Sequence, residues 1–195
     1  MDIYRTPPAL ILVAACGSLS ACGGIQDALD FADERSTYEA SLSSLQSRSN
    51  TAYAAVPDTG ASTYRGEASM GVGDTSVGVA LVGDAEITVD FENAEVTGRI
   101  GGFTGVDREE DFSDFNGSLV FSNGALGSEN PNDVDAALTG TLTGGGYVIG
   151  VDALWEGHLI GTPIVGVLGD TTTSQSTFTL NGEEVPGGIV VATTN

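Results

Sequence analysis

The chain has 195 residues and a formal net charge of −21 at pH 7. A surface this negative repels nucleic acid and anionic membranes, so we expect no nucleic-acid partner. The sequence contains no lysine, which excludes a Schiff-base lysine, a phosphate-loop lysine and any lysine-paired nucleophile. In most proteins such an acidic surface serves solubility, and in fewer it attracts a basic partner. The 28 glycines disfavour a helical protein.

The first 21 residues are typical of a secretion signal. Arg5 precedes an apolar run over residues 9–15, which has signal-peptide length and is too short to span a bilayer. Residues 19–23, with the sequence LSACG, resemble the bacterial lipobox, in which the cysteine thiol accepts the lipid. We therefore predict a lipoprotein signal peptide over 1–21 and lipidation of Cys22.

Two other interpretations of the cysteines stay open. Residues 13–16, with the sequence VAAC, also fit a loose lipobox, although cleavage there leaves a very short apolar core. Alternatively, Cys16 and Cys22 are ordinary buried thiols or a disulfide pair.

Several acyl chains on Cys22 would attach the protein stably to a membrane. Gly23 after the cysteine is compatible with transport to the bacterial outer membrane, on its periplasmic or cell-surface face.

Residues 22–60 are predicted to form a lipid-anchored arm with a short helix. Ser36 and Glu39 have the spacing of a capping box. Apolar residues then recur at helical spacing: Tyr38, Leu42 and Leu45. The pattern predicts a helix from about 37 to 48. Residues 57–60, with the sequence PDTG, predict a turn into the following region.

From residue 62 onward the apolar period changes to two, which is typical of strands with one buried face. Val77, Val79 and Leu81 share one face, and so do Ile87, Val89 and Phe91. Gly83-Asp84 and Asn93-Ala94 are predicted turns. Further candidate strands are 62–70, 96–100, a segment with Leu119 and Phe121, 134–143, 146–154, 157–168 with Pro163 as a candidate break, 175–180 and 187–193. We expect eight or nine strands.

Numerous strands joined by short turns predict an all-β fold, an antiparallel up-and-down β-barrel of about eight strands over 61–195, preceded by the short N-terminal helix. Closure removes the exposed edges of the sheet. A barrel of this size has room for packed side chains or one small ligand. A transmembrane barrel is the alternative, but it would place charges such as Glu86 and Asp90 in lipid unless the apolar face looked outward.

The residues suited to chemistry form no recognisable site. His158 is the only histidine, and no Gly-x-Ser-x-Gly elbow accompanies it. An acidic loop over 107–116 has oxygen ligands suited to calcium but lacks the spacing of a calcium loop, so a solvated loop is favoured. Trp155 and Tyr147 fit core packing better than a ligand cavity. Gly144-Gly145-Gly146 predicts a hairpin turn. We predict no catalytic residue, no metal and no cofactor.

Several strand segments of the chain resemble a known protein family. Residues 56–68 and 83–98, with later similarity at 115–119 and 140–142, resemble the β-barrel domain of transferrin-binding protein B-like lipoproteins. The resemblance covers roughly residues 56–155, whereas residues 161–167 depart from the family's sequence pattern. It implies an eight-stranded, lipid-anchored barrel that binds a protein or small nutrient. It does not imply transferrin binding, which belongs to large bilobal members with handle domains, and it carries over no ligand-contacting residue.

The resulting functional prediction is a lipid-anchored, non-catalytic protein of the outer envelope that binds an unknown protein or small molecule. The alternative is a structural envelope lipoprotein with a solid-packed barrel and no ligand. An enzyme is a third interpretation, which convergence of His158 with a serine or a carboxylate in one cleft would favour.

Overall fold

The computed structural model describes residues 21–74 and 76–195 and contains one helix followed by a barrel. Helix α1 spans Ala21–Gln46, and a single 3-10 turn spans Tyr53–Ala55. The strands are β1 Ala61–Gly73, β2 Gly78–Asp90, β3 Glu95–Asp107, β4 Phe112–Leu126, β5 Asp133–Gly144, β6 Tyr147–Ile160, β7 Gly166–Leu180, β8 Glu183–Val185 and β9 Gly187–Thr194.

Eight strands close into an antiparallel barrel, which confirms the predicted fold class. Each strand from β1 to β7 pairs with the next along the chain, and β9 pairs with both β7 and β1 to complete the ring. The short β8 pairs only with the end of β7 and lies outside this circuit. The connections are those of an up-and-down meander whose first and last long strands meet.

The barrel interior is filled by apolar side chains. Its largest fully buried members, each at most 2 % exposed, are Trp155, Tyr64, Phe103, Phe121 and Met70. They belong to one continuous cluster with the inward residues of the long strands. Because alternate residues face outward, the charged side chains of the strands lie on the outer surface. A lipid-facing barrel has an apolar outer band instead.

The predicted turn at Gly83-Asp84 is wrong, because β2 continues through both residues. The pairing between β2 and β3 shifts by one residue here, which is a β-bulge rather than a chain reversal. Gly83 faces the Phe103 ring, and a Cβ at this position would lie 2.6 Å from a ring carbon. The glycine therefore makes room for a core aromatic. The predicted turn at Asn93-Ala94 is confirmed.

The predicted strands 146–154 and 157–168 are also divided at the wrong place. β6 runs without a break to Ile160, since Ala153, Trp155, Gly157 and Leu159 continue one inward-facing series. The chain reverses over 161–164, the turn that contains Pro163. Residues after this turn belong to β7, which also includes the predicted strand 175–180.

Helix α1 is longer than predicted and starts well before Ser36. Ser36 is not a helix cap, because the helix passes through it, and the neighbouring Thr37 hydroxyl donates back to the Asp33 carbonyl oxygen at 3.0 Å. The apolar face extends to Phe31, seven residues before Tyr38. Packing on the barrel explains the extra length, since most helical stability in proteins comes from a buried face.

The helix packs against the outside of the barrel. Phe31, Tyr38 and Leu45 form a second buried cluster with outward residues of the strands: Val82, Ile160 and Ala192. The Phe31 ring also meets Phe112 edge-on at 5.6 Å. After the helix, the Thr51 amide donates to the Leu159 carbonyl oxygen at 2.8 Å. The N-terminal arm is therefore fixed to the barrel at both of these points.

Candidate binding groove

The predicted lipidation residue, Cys22, lies in the first turn of α1. Residues 1–20, and with them Cys16 and nearly all of the predicted signal peptide, lie outside the described residues. Within the described part of the chain, no helix combines the length and the apolar composition that crossing a bilayer requires.

The structure brings His158 together with a carboxylate. Its Nδ1 atom lies 2.9 Å from Oδ1 of Asp133, its direct neighbour on β5, and half of the histidine side chain is exposed. Both residues line one groove on the outer surface, and this is the convergence with a carboxylate that would favour an enzyme. A nucleophilic site also needs a serine hydroxyl on the other ring nitrogen. In residues 21–74 and 76–195 no serine forms a hydrogen bond with His158.

The predicted acidic loop 107–116 is mostly strand. β3 ends at Asp107 and β4 begins at Phe112, so only four residues form the turn. Asp107 stabilises this turn, because its Oδ1 atom accepts the backbone N–H groups of Glu109 and Asp111, both at 3.0 Å. Among the described residues, no group of three or more His, Cys, Asp or Glu side chains is arranged to hold a metal ion.

Trp155 is a core residue, as predicted, with none of its side chain exposed. Its ring meets Phe121 edge-on at 5.2 Å. Tyr147 is partly buried at the start of β6, and its hydroxyl donates to Asp107 at 3.4 Å. The predicted hairpin turn is confirmed, since Gly145 and Gly146 both have positive φ angles, of 56° and 80°, as a type I′ turn requires.

A groove of about 810 Å³ lies on the outer surface, between α1 and strands β5, β6, β7 and β9. We call it the binding groove. Apolar side chains that are buried or partly buried line the helix side and the floor: Tyr38, Leu42, Leu168 and Val190. The loop 127–130 lines another part of it. Its volume is within the range of small-molecule sites.

Three carboxylates cross this groove side by side. Asp135 on β5 lies directly opposite Glu156 on β6, and Glu156 lies directly opposite Asp170 on β7. All three residues are exposed. We call them the carboxylate row. Strands are about 4.8 Å apart, and like charges placed directly opposite each other destabilise a sheet.

The opposite side of the barrel shows how this protein otherwise arranges its charges. There Glu86 lies between Arg65 and Arg99 on the two neighbouring strands, and Arg65 binds it at 2.8 Å. That row alternates in sign, whereas the carboxylate row has one sign throughout. Of the described residues that line the binding groove, none is an arginine. The carboxylate row is therefore suited to a cation supplied from outside the chain.

No family model, no curated protein and no solved structure matches this chain. The function therefore has to be inferred from the residues that line the binding groove.

Two carboxyl groups between the helix and the barrel have shifted pKa values. Burial raises the pKa of Glu34, and the nearby Asp84 carboxylate raises it further, although the Thr104 hydroxyl opposes this. Burial also raises the pKa of Glu67, against the effect of a hydrogen bond from the Ser41 hydroxyl at 3.1 Å. A raised carboxyl pKa favours the neutral form in the folded state. For these two groups folding is therefore more favourable at acidic pH, and this contribution to stability is lost as the pH rises through the raised values.

Sequence reasoning placed Tyr38 and Leu42 on a helix but missed the groove. The three members of the carboxylate row are far apart in the sequence, and each has the spacing of an ordinary outward-facing strand residue. Only the pairing of β5, β6 and β7 places them in one line. The signal that could have found them is the absence of arginine and lysine from all three strands.

Proposed function

We propose that this protein is a lipid-anchored, non-catalytic binding protein of the bacterial outer envelope, and that its partner binds on the outside of the barrel in the binding groove. The observation that carries the proposal is the groove itself, which joins an apolar floor to a row of carboxylates that the chain does not neutralise. The core side chains are almost fully buried and fill the interior of the barrel. This favours a ligand site on the outer surface.

The proposed relation to transferrin-binding protein B-like lipoproteins is supported by the number of strands in the barrel. A structural lipoprotein without a ligand is the second candidate function, and the solid-packed interior favours it. The two candidates differ in one respect that can be tested: only the first gives the binding groove an occupant.

Cross-linking in living cells tests for that occupant. A photo-activated amino acid replaces Glu129, an exposed residue at the groove, in the bacterium that encodes the protein. The expected result is a discrete covalent adduct after illumination. The same replacement at Val120, which is 46 % exposed on β4 away from the groove, serves as the matched control and is expected to give none.

The adduct at position 129 is also expected to disappear in the Glu156→Arg background, because this change reverses the charge in the middle of the carboxylate row. Equal labelling from both positions, or no labelling from either, would contradict a binding role and favour the structural lipoprotein.

The proposed anchor gives a separate prediction. Cys22→Ala is expected to move the protein from the membrane fraction to the supernatant after a carbonate wash, since the acyl chains supply the membrane affinity. The circular dichroism spectrum of the released protein is expected to remain that of a folded barrel. Helix α1 begins at Ala21, so the anchor would lead directly into the helix that packs on the barrel.

Cys16→Ala is the matched control for this experiment and is expected to remain in the membrane fraction. Retention of Cys22→Ala would show that the anchor is elsewhere, and release of Cys16→Ala in its place would assign the lipid to Cys16.

A further inference from the structure

We propose that the occupant of the binding groove is a basic, amphipathic segment of a partner protein, whose lysine or arginine side chains bind the carboxylate row while its apolar side chains cover the floor. This inference rests on the proposed function and adds the chemical class of the partner.

The first argument is charge. The middle carboxylate, Glu156, has an acidic neighbour on each side and no basic one. The arginines whose contacts are defined lie elsewhere in the described structure: Arg35 binds Glu39, Arg65 binds Glu86, and Arg108 donates to the carbonyl oxygen of Asp74. No arginine is among the described residues that line the groove, and His158, which lines it, is paired with Asp133 rather than with the row. The positive charge that complements the row has to come from the partner.

The second argument is the apolar floor. Val190 lies directly opposite Asp170 on the adjacent strand, and Leu168 lies directly opposite His158. The helix adds Leu42 and Tyr38 to the same surface. A simple cation or a linear polyamine would satisfy the carboxylates but would leave this apolar surface in contact with water. A segment that carries both basic and branched apolar side chains buries the two parts together.

The third argument is spacing. Three adjacent strands place the carboxylate row across about 10 Å. In an extended peptide, side chains on one face are two residues, or about 6.6 Å, apart. The flexible stem of lysine and the longer arginine side chain cover the difference between this distance and the strand spacing. Two or three basic residues on one face of an extended segment therefore match the row.

The test uses the folded protein and a labelled synthetic peptide of about a dozen residues in which serine occupies every second position. The positions between are lysines followed by leucines, so that in an extended peptide lysine and leucine share one face. Binding is followed by fluorescence anisotropy at about 150 mM salt, where interactions between distant surface charges are screened. We expect saturable binding to the wild-type protein. Glu156→Arg is expected to weaken it about tenfold or more, because it replaces the central attraction by repulsion.

Asp152→Arg is the matched control, because it makes the same charge change on the same strand. Asp152 is also exposed, but it lies opposite Thr139 and Thr177 and does not line the groove. We expect its affinity to stay within about twofold of the wild type. Equal weakening by both substitutions would reduce the effect to net charge and overturn the proposal. Melting curves of both variants establish that each is folded.

Three further probes separate the chemical classes. A peptide in which serine replaces each leucine tests the apolar floor, one in which glutamate replaces each lysine tests the charge, and spermine tests a small polyamine. The proposal expects all three to bind more weakly than the lysine and leucine peptide. Binding of the serine peptide or of spermine with equal affinity would overturn it, and so would failure of the lysine and leucine peptide to bind.

The chemical inference and the proposed function can fail separately. If the cross-linked adduct at position 129 forms and depends on Glu156 while the basic peptide does not bind, the groove has a partner of another chemistry. If neither experiment detects binding, both the inference and the binding role are wrong.

Discussion

Trp155→Ala is expected to lower the free energy of unfolding by about 3–5 kcal/mol, the range for removing a buried tryptophan. The side chain is 0 % exposed. Gly157 and Gly169 are paired neighbours on β6 and β7 that lie against the same ring, and a Cβ on either would come within 2.5 Å of a ring carbon. The backbone is already in contact with the indole, so the barrel wall has to shift as a whole to fill the space that alanine leaves.

Urea unfolding followed by far-ultraviolet circular dichroism measures this loss, since the chain has one tryptophan and the variant has no tryptophan fluorescence. Trp155→Phe is the control and is expected to cost clearly less. Phenylalanine keeps an aromatic ring near Phe121 and removes the indole N–H group, which is buried without a hydrogen-bond partner in the described structure. A loss below about 1 kcal/mol for Trp155→Ala would contradict a closely packed interior.

The same variant bears on where the protein binds its ligand. Removal of the indole is expected to leave an apolar cavity, and free indole that fills it raises the melting temperature by binding only the folded state. The wild-type protein, whose Trp155 occupies that space, is expected to show no such rise. A rise in the wild type would mean that the interior accepts ligands, which would contradict a partner confined to the outer surface.

The strand region was predictable to the extent that its signals are local. Alternation identified Ile87 and Val89 as inward residues because side chains on a strand alternate regardless of its partner. The two glycines of the 145–146 turn were recognisable because a type I′ turn needs two positive φ angles. Strand ends were less predictable. Gly83 has the sequence pattern of a turn, but it serves the packing of Phe103, which is distant in the sequence.

The groove could not be predicted from the sequence, for a different physical reason. Whether Asp135, Glu156 and Asp170 form one row depends on strand register, and a shift of one residue would turn a side chain to the other face of the sheet. Part of the register is set by bulges, such as the one between β6 and β7 near Trp155. The helix had a usable signal, since Phe31 precedes Tyr38 by two turns on the same face. Its length nevertheless depends on the apolar outer surface around Val82 and Ala192, which exists only when the barrel has formed.

Leu45→Ala is expected to lower the free energy of unfolding by about 2–4 kcal/mol. Leu45 is 1 % exposed between α1 and the barrel, and a Cβ placed on Gly166 would lie 2.8 Å from its Cδ2 atom, so the side chain contacts the β7 backbone directly. Leu29→Ala is the matched control on the same helix. Leu29 is 59 % exposed, and its loss is expected to change stability by less than about 0.5 kcal/mol.

This variant also connects helix docking with binding, because Tyr38 and Leu42 of the same helix line the groove. If α1 loosens, the carboxylate row remains on the barrel while the helix side of the groove is lost. In Leu45→Ala we therefore expect weaker binding of the lysine and leucine peptide, with unchanged weak binding of the lysine and serine peptide, which uses charge alone. In Leu29→Ala both affinities should equal those of the wild type. A Leu45→Ala protein that is destabilised but binds both peptides normally would show that the helix stabilises the barrel without forming part of the site.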